Sequence, residues 1–130
     1  NNKYTHKKEF LSKSISYSIL PKYRRKVLVG DIERDLRQIF YDIAKEKDVE
    51  IKALEIMPDH VHMFISFDPR QPLHSLVRYF KGTSSRILRD KYPELRSRIP
   101  SLWTRSYFSC TVGYVSEEAI QKYIENQKNV

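Results

Sequence analysis

Met57-Pro58-Asp59-His60-Val61-His62-Met63-Phe64-Ile65-Ser66-Phe67 reads as a tight turn running straight into a strand. Proline at the second turn position fixes φ near −65°. From His60 to Phe67 the residues alternate. Val61, Met63, Ile65 and Phe67 point one way; His60, His62, Phe64 and Ser66 point the other. The first set is wholly apolar, so the core does not need the histidines.

Upstream, Val49–Met57 reads as the partner strand of the hairpin, although Leu54 and Ile56 interrupt the face set by Ile51 and Ala53. The clearest alternation is earlier, in Ser14-Ile15-Ser16-Tyr17-Ser18-Ile19-Leu20, with serines on one face and Ile15, Tyr17 and Ile19 on the other. Pro21 ends that strand. Between the two strands, Ile32, Leu36, Ile39, Phe40, Ile43 and Ala44 recur at helical spacing. Asp31 is the expected N-cap and the helix runs to about Lys47.

Downstream, Pro72 opens a second amphipathic helix with Leu73, Leu76, Val77, Phe80, Ile87 and Leu88 on its stripe. Gly82 inside it costs about 1 kcal/mol relative to alanine and is expected to mark a bend. Tyr92–Arg105 is expected as a loop with two prolines, and Tyr107–Val112 as a fourth strand. Ser116 is the expected cap of a last helix, with Glu117 and Glu118 suiting its macrodipole.

The order β-α-β-β-α-β-α predicts an α+β chain, a single domain over 1–130. Its core is a ferredoxin-like β-α-β-β-α-β arrangement with an added C-terminal helix. Both core helices are expected on one sheet face, leaving the histidine-bearing face open.

Composition narrows the function. With 24 Lys+Arg against 16 Asp+Glu the net charge is +8, and 40% hydrophobic residues exclude a disordered chain. Apolar runs of three residues cannot span a bilayer, so no membrane is expected. No leader pattern opens the chain, and the lone Cys110 has no intramolecular partner, so the expected setting is a reducing cytoplasm. A polyanion is the expected partner.

His60 and His62, two apart on a strand, project from one face about 6.5–7 Å apart along it. Two neutral imidazoles at that spacing can converge on one divalent ion, although an isolated His-x-His is more often a surface or structural pair. Tyr123 and Gln127 lie at i, i+4 on the last helix and share a face. On residue type alone, Tyr123 is an anchoring aromatic and Gln127 a solvated amide. Lys22, Arg24, Arg25 and Lys26 cluster around Tyr23 after the first strand, and Arg78, Lys81, Arg86, Arg89 and Lys91 punctuate the second helix. About half of these belong to a solvated face; the rest, the first cluster foremost, are candidates for phosphate contact. His6 and His74 read as ordinary surface residues, and Trp103 as packed against the loop.

The segments Pro58-Asp59-His60-Val61-His62, Leu102-Trp103, Tyr107-Phe108, Thr111-Val112-Gly113 and Tyr123-Ile124-Glu125-Asn126-Gln127, with Lys22-Tyr23-Arg24-Arg25-Lys26-Val27-Leu28, together resemble the single-tyrosine HUH transposases of the IS200/IS605 insertion sequences. The match runs from about Ser16 to Gln127. The resemblance implies that His60, His62 and Gln127 hold Mg²⁺ or Mn²⁺. It implies that Tyr123 attacks single-stranded DNA, leaving a 5′-phosphotyrosine and a free 3′-hydroxyl. It implies further that hairpins near the element ends are recognised, and that a homodimer pairs the tyrosine helix of one chain with the histidines of the other. Two other readings stand beside it. One is a domesticated relative that cuts palindromic repeats; the other is a non-catalytic single-stranded nucleic-acid-binding module on the open sheet face.

Overall fold

Serine–hydrophobe alternation in the first strand becomes a two-sided strand in the computed structural model, which describes residues 13–98, 101–105, 107–111, 122 and 125. Strand β1 spans Lys13–Ile19 and buries Ile15, Tyr17 and Ile19. Helix α1 (Gly30–Glu46) follows, then the hairpin of β2 (Glu50–Met57) and β3 (His60–Phe67). Helix α2 (Leu73–Lys91), the short helix α3 (Glu94–Arg98) and β4 (Phe108–Thr111) follow, and a single 3-10 turn at Lys22–Arg24 lies between β1 and α1. The strands form an antiparallel sheet in the order β2-β3-β1-β4, the split arrangement expected of a ferredoxin-like core. Of the expected last helix, only Lys122 and Glu125 are described, both helical; its expected cap, Ser116, lies outside the described residues.

The core fills the space between one sheet face and the two long helices. Val61, Met63, Ile65 and Phe67 of β3 meet Leu36, Phe40 and Ile43 of α1 and Leu76, Phe80 and Leu88 of α2 in one cluster. Phe40 and Phe80 join the helices edge to face with ring centroids 5.5 Å apart, a contact worth about 0.5–1.5 kcal/mol beyond its burial. Asp35 adds a polar tie: it accepts hydrogen bonds from Lys91 (2.8 Å) and from the Tyr92 hydroxyl, which hold its carboxyl down at about 2.

Several local expectations are corrected. Asp31 does not cap α1. The chain enters the helix through Gly30, whose φ of 57° suits a residue without Cβ, and the Asp31 carboxylate instead accepts from Arg34 at 2.9 Å. Helix α2 is continuous through Gly82. The expected loop from Tyr92 contains α3, begun by Leu95 N–H to Tyr92 O and Arg96 N–H to Pro93 O.

The poor alternation of β2 has a structural cause. The register shifts between Ile51 and Ala53, so Ile51 faces Ile65, while Leu54 faces Met63 and Ile56 faces Val61. This bulge changes the phase of the strand. It returns Leu54 and Ile56 to the same core face as Ile51.

The expected open sheet face is also corrected. Phe64 is fully buried there, and Ser14, Ser16 and Ser66 are buried with it. Leaving the phenyl ring in water would forfeit about 1.5–3 kcal/mol, and the folded chain covers it.

Candidate metal and nucleic-acid site

The hairpin turn places the histidine pair. Pro58 and Asp59 form the two-residue connection, and Met57 pairs with His60 across it. His60 and His62 lie on the same face of β3, their ring centroids 4.8 Å apart and the rings nearly perpendicular at 73°.

Each ring is held through Nδ1. At His60, Nδ1–H donates to Asp59 Oδ1 at 2.7 Å, and the other carboxylate oxygen accepts from Arg24 Nη2 at 3.1 Å. At His62, Nδ1 lies 2.5 Å from the hydroxyl of Ser18, the residue directly opposite on β1. Donation from Nδ1–H to the carboxylate leaves the Nε2 lone pair of His60 for an external acid, and the His62 tautomer that donates to the Ser18 hydroxyl does the same. Burial, and then the neighbouring His60, lower the pKa of His62, against a smaller opposing effect from Glu55 across the hairpin. The first two effects favour the neutral ring, the form a nitrogen donor needs. The hydrogen bond from His60 holds the Asp59 carboxyl below its usual range.

Among the described residues no cluster of three or more His, Cys, Asp or Glu forms a complete metal cage. The described part of a donor set is the two imidazoles. Tyr123 and Gln127 lie outside the described residues.

The first basic cluster is joined to this site. Arg24 N–H to Pro21 O (2.8 Å) closes a four-residue turn whose third residue is Tyr23, at φ 62° and ψ 16°. Arg24 is also left-handed, at φ 51°. For side chains with a Cβ this conformation costs roughly 1–2 kcal/mol each. Arg24 reaches the histidines through Asp59, and among the described residues Lys22, Arg25 and Lys26 have no carboxylate partner.

The second basic cluster sits on the helical layer. Arg78 contacts His74 Nε2 at 2.8 Å, and Lys81 donates to Arg105 O at 3.1 Å. Both side chains border a shallow cleft of about 270 Å³. Lys91 is spent on Asp35. Trp103 is buried as expected and donates Nε1–H to Ser84 Oγ at 3.0 Å.

Sequence reasoning assigned no role to Ser18 or Asp59. Asp59 stood next to His60 in plain view, and the serine face of the first strand was legible. Only the register pairs Ser18 with His62.

The family model described as IS200-like transposase matches residues 12–127. The ISDra2 transposase TnpA of Deinococcus radiodurans is 41% identical over 108 residues, 82% of this chain and 77% of that protein. The transposase for insertion sequence element IS200 of Salmonella typhimurium is 33% identical over 109 residues, 82% of this chain and 71% of that protein. A crystal structure of a Deinococcus radiodurans protein described as a transposase superposes with a TM-score of 0.72 at 36% identity, covering 88% of this chain and 91% of that one. A REP-associated tyrosine transposase solved bound to a REP hairpin shares the fold, with a TM-score of 0.64 at 15% identity over 90% of this chain and 68% of that one. With a family match along nearly its whole length and relatives this similar, the chain belongs to the IS200-like transposases.

Proposed function

We propose that the protein cleaves and rejoins single-stranded DNA at insertion-sequence ends, using a tyrosine nucleophile beside a divalent-metal site. The observation that carries this reading is the histidine pair, with the two rings side by side and each engaged through Nδ1 by an oxygen of the fold. His60, His62 and the amide oxygen of Gln127 would hold Mg²⁺ or Mn²⁺. Bound there, the ion supplies Lewis-acid polarisation of a phosphate oxygen.

The Tyr123 oxygen attacks phosphorus. An O–P bond to the phenol forms as the bond to the 3′-oxygen breaks, and the phenolic proton is lost while the leaving oxygen gains one. The 5′-phosphotyrosine conserves the phosphodiester energy, so rejoining by a 3′-hydroxyl is the same step reversed. The likeness to a transposase solved on a REP hairpin supports hairpin recognition. Burial of Phe64 counts against a non-catalytic module that stacks bases on an open sheet. The test is a denaturing gel after mixing the protein with Mg²⁺ and hairpin-bearing single-stranded DNA from the flanks of its gene. A slow-migrating covalent adduct is expected; none with any flank would overturn the reading.

The orienting residues give a graded prediction. Asp59→Asn and Ser18→Ala leave both imidazoles in place but loosen their Nδ1 anchors. Each should weaken divalent-metal affinity by roughly 10–100-fold, read as a rightward shift in the Mn²⁺ titration of cleavage. An unshifted titration would make these contacts merely structural.

The homodimer with composite sites is likewise proposed. In a two-fold assembly both sites are equivalent, so mixing His60→Ala protein with Tyr123→Phe protein, each inactive alone, tests it. If the tyrosine serves the partner's histidines, subunit exchange restores one working site per heterodimer. With heterodimers verified, absence of recovered cleavage would assign the site to a single chain.

A further inference from the structure

Tyr23 occupies a position that ordinarily belongs to glycine. It is the third residue of the turn closed by Arg24 N–H to Pro21 O, and its φ of 62° is the left-handed value that favours glycine at that position. Its ring contributes nothing to the core, being 69% exposed, more than any other large hydrophobic side chain described. Tyr41, also exposed, sits on regular helix and carries no such strain.

The conformation is imposed from outside. Lys22 N–H donates to Leu102 O at 2.8 Å, Thr104 N–H donates to Leu20 O at 2.9 Å, and Pro21 bridges to Trp103. On the other flank Arg24 is held by Asp59, which holds His60. A turn pinned on both sides and strained at an aromatic that the fold does not use is the pattern of a residue kept for a ligand.

We propose that Tyr23 is a stacking platform for an unpaired base of the substrate strand, with Lys22, Arg25 and Lys26 taking the flanking phosphates. The inference rests on the single-stranded DNA reading above and adds to it a base-gripping residue beside the histidine turn. An aromatic face among cations binds single strands with little regard to base identity. The ion pair from Arg24 to Asp59 and the hydrogen bond from Asp59 on to His60 bring that grip next to the candidate metal ligands.

The test is a cycle between Tyr23→Gly and removal of the bases. Affinities are measured for a short mixed-sequence single-stranded oligonucleotide and for an abasic strand of equal length and charge. Tyr23→Gly should lose about 5- to 150-fold on the first strand and little on the second. Tyr23→Trp, which keeps a ring face, should retain the base-dependent affinity. Thermal melting guards against a folding artefact, since glycine relieves the left-handed φ and should leave the midpoint unchanged or raised. Equal losses on both strands, no loss on either, or a lowered midpoint would overturn the proposal. Wild-type protein that bound neither strand would instead overturn the single-stranded DNA reading, and this inference with it.

Discussion

Tyr123→Phe protein, incubated with Mg²⁺ and hairpin-bearing single-stranded DNA, is expected to form no covalent adduct. Cleavage should fall by about 10⁴-fold or more, the scale on which covalent catalysts respond to loss of the nucleophile. The change removes one oxygen, so hairpin affinity should stay within about 2-fold of wild type and thermal stability within about 0.5 kcal/mol. The chain has nine tyrosines, and three of the others are poor substitutes on physical grounds. Tyr17 is buried with its hydroxyl directed at the Met63 sulfur, and burial raises its pKa. Tyr79 and Tyr92 donate to Glu46 and Asp35, which raises theirs. An adduct that survived in Tyr123→Phe would move suspicion to Tyr23, exposed beside the histidine turn.

His60→Ala and His62→Ala should each abolish cleavage while sparing hairpin binding. Loosening a ligand's orienting partner costs roughly 10–100-fold; deleting the ligand itself, one of only two described donors, should cost more than about 100-fold. The folded state should tolerate both changes. The rings are on the face away from the hydrophobic core and are partly solvated, so a loss of about 1 kcal/mol or less is expected. Adding metal discriminates between outcomes. If either variant cleaved at the wild-type rate with an unshifted Mg²⁺ or Mn²⁺ titration, the pair would not be the metal site.

Much of the fold is legible one segment at a time, because alternation and helical spacing depend on residues a few positions apart. Ile15, Tyr17 and Ile19 face the core as the alternation of Ser14–Leu20 predicts, and so do Val61, Met63, Ile65 and Phe67. Even the irregularity of β2 was visible as broken alternation. Its meaning, a bulge that returns Leu54 and Ile56 to the core face, appears only once β3 is laid alongside.

Local pattern alone gives the order of the four strands and two long helices, their apolar faces and the placement of both histidines on one side of one strand. These follow from covalent neighbours and from the period of a strand or helix. Tertiary structure alone decided what holds the histidines and what surrounds them. Ser18 meets His62 across 44 positions and Arg24 meets Asp59 across 35, distances over which no local pattern carries information. The same holds for the cover over Phe64, which local alternation left in solvent, and for Tyr23, whose left-handed backbone is imposed by remote contacts with Leu102, Trp103 and Asp59. Strand register and loop anchoring are settled by the burial and hydrogen bonding of the whole chain at once. For that reason a site's donors can be legible in one strand while their orientation is not.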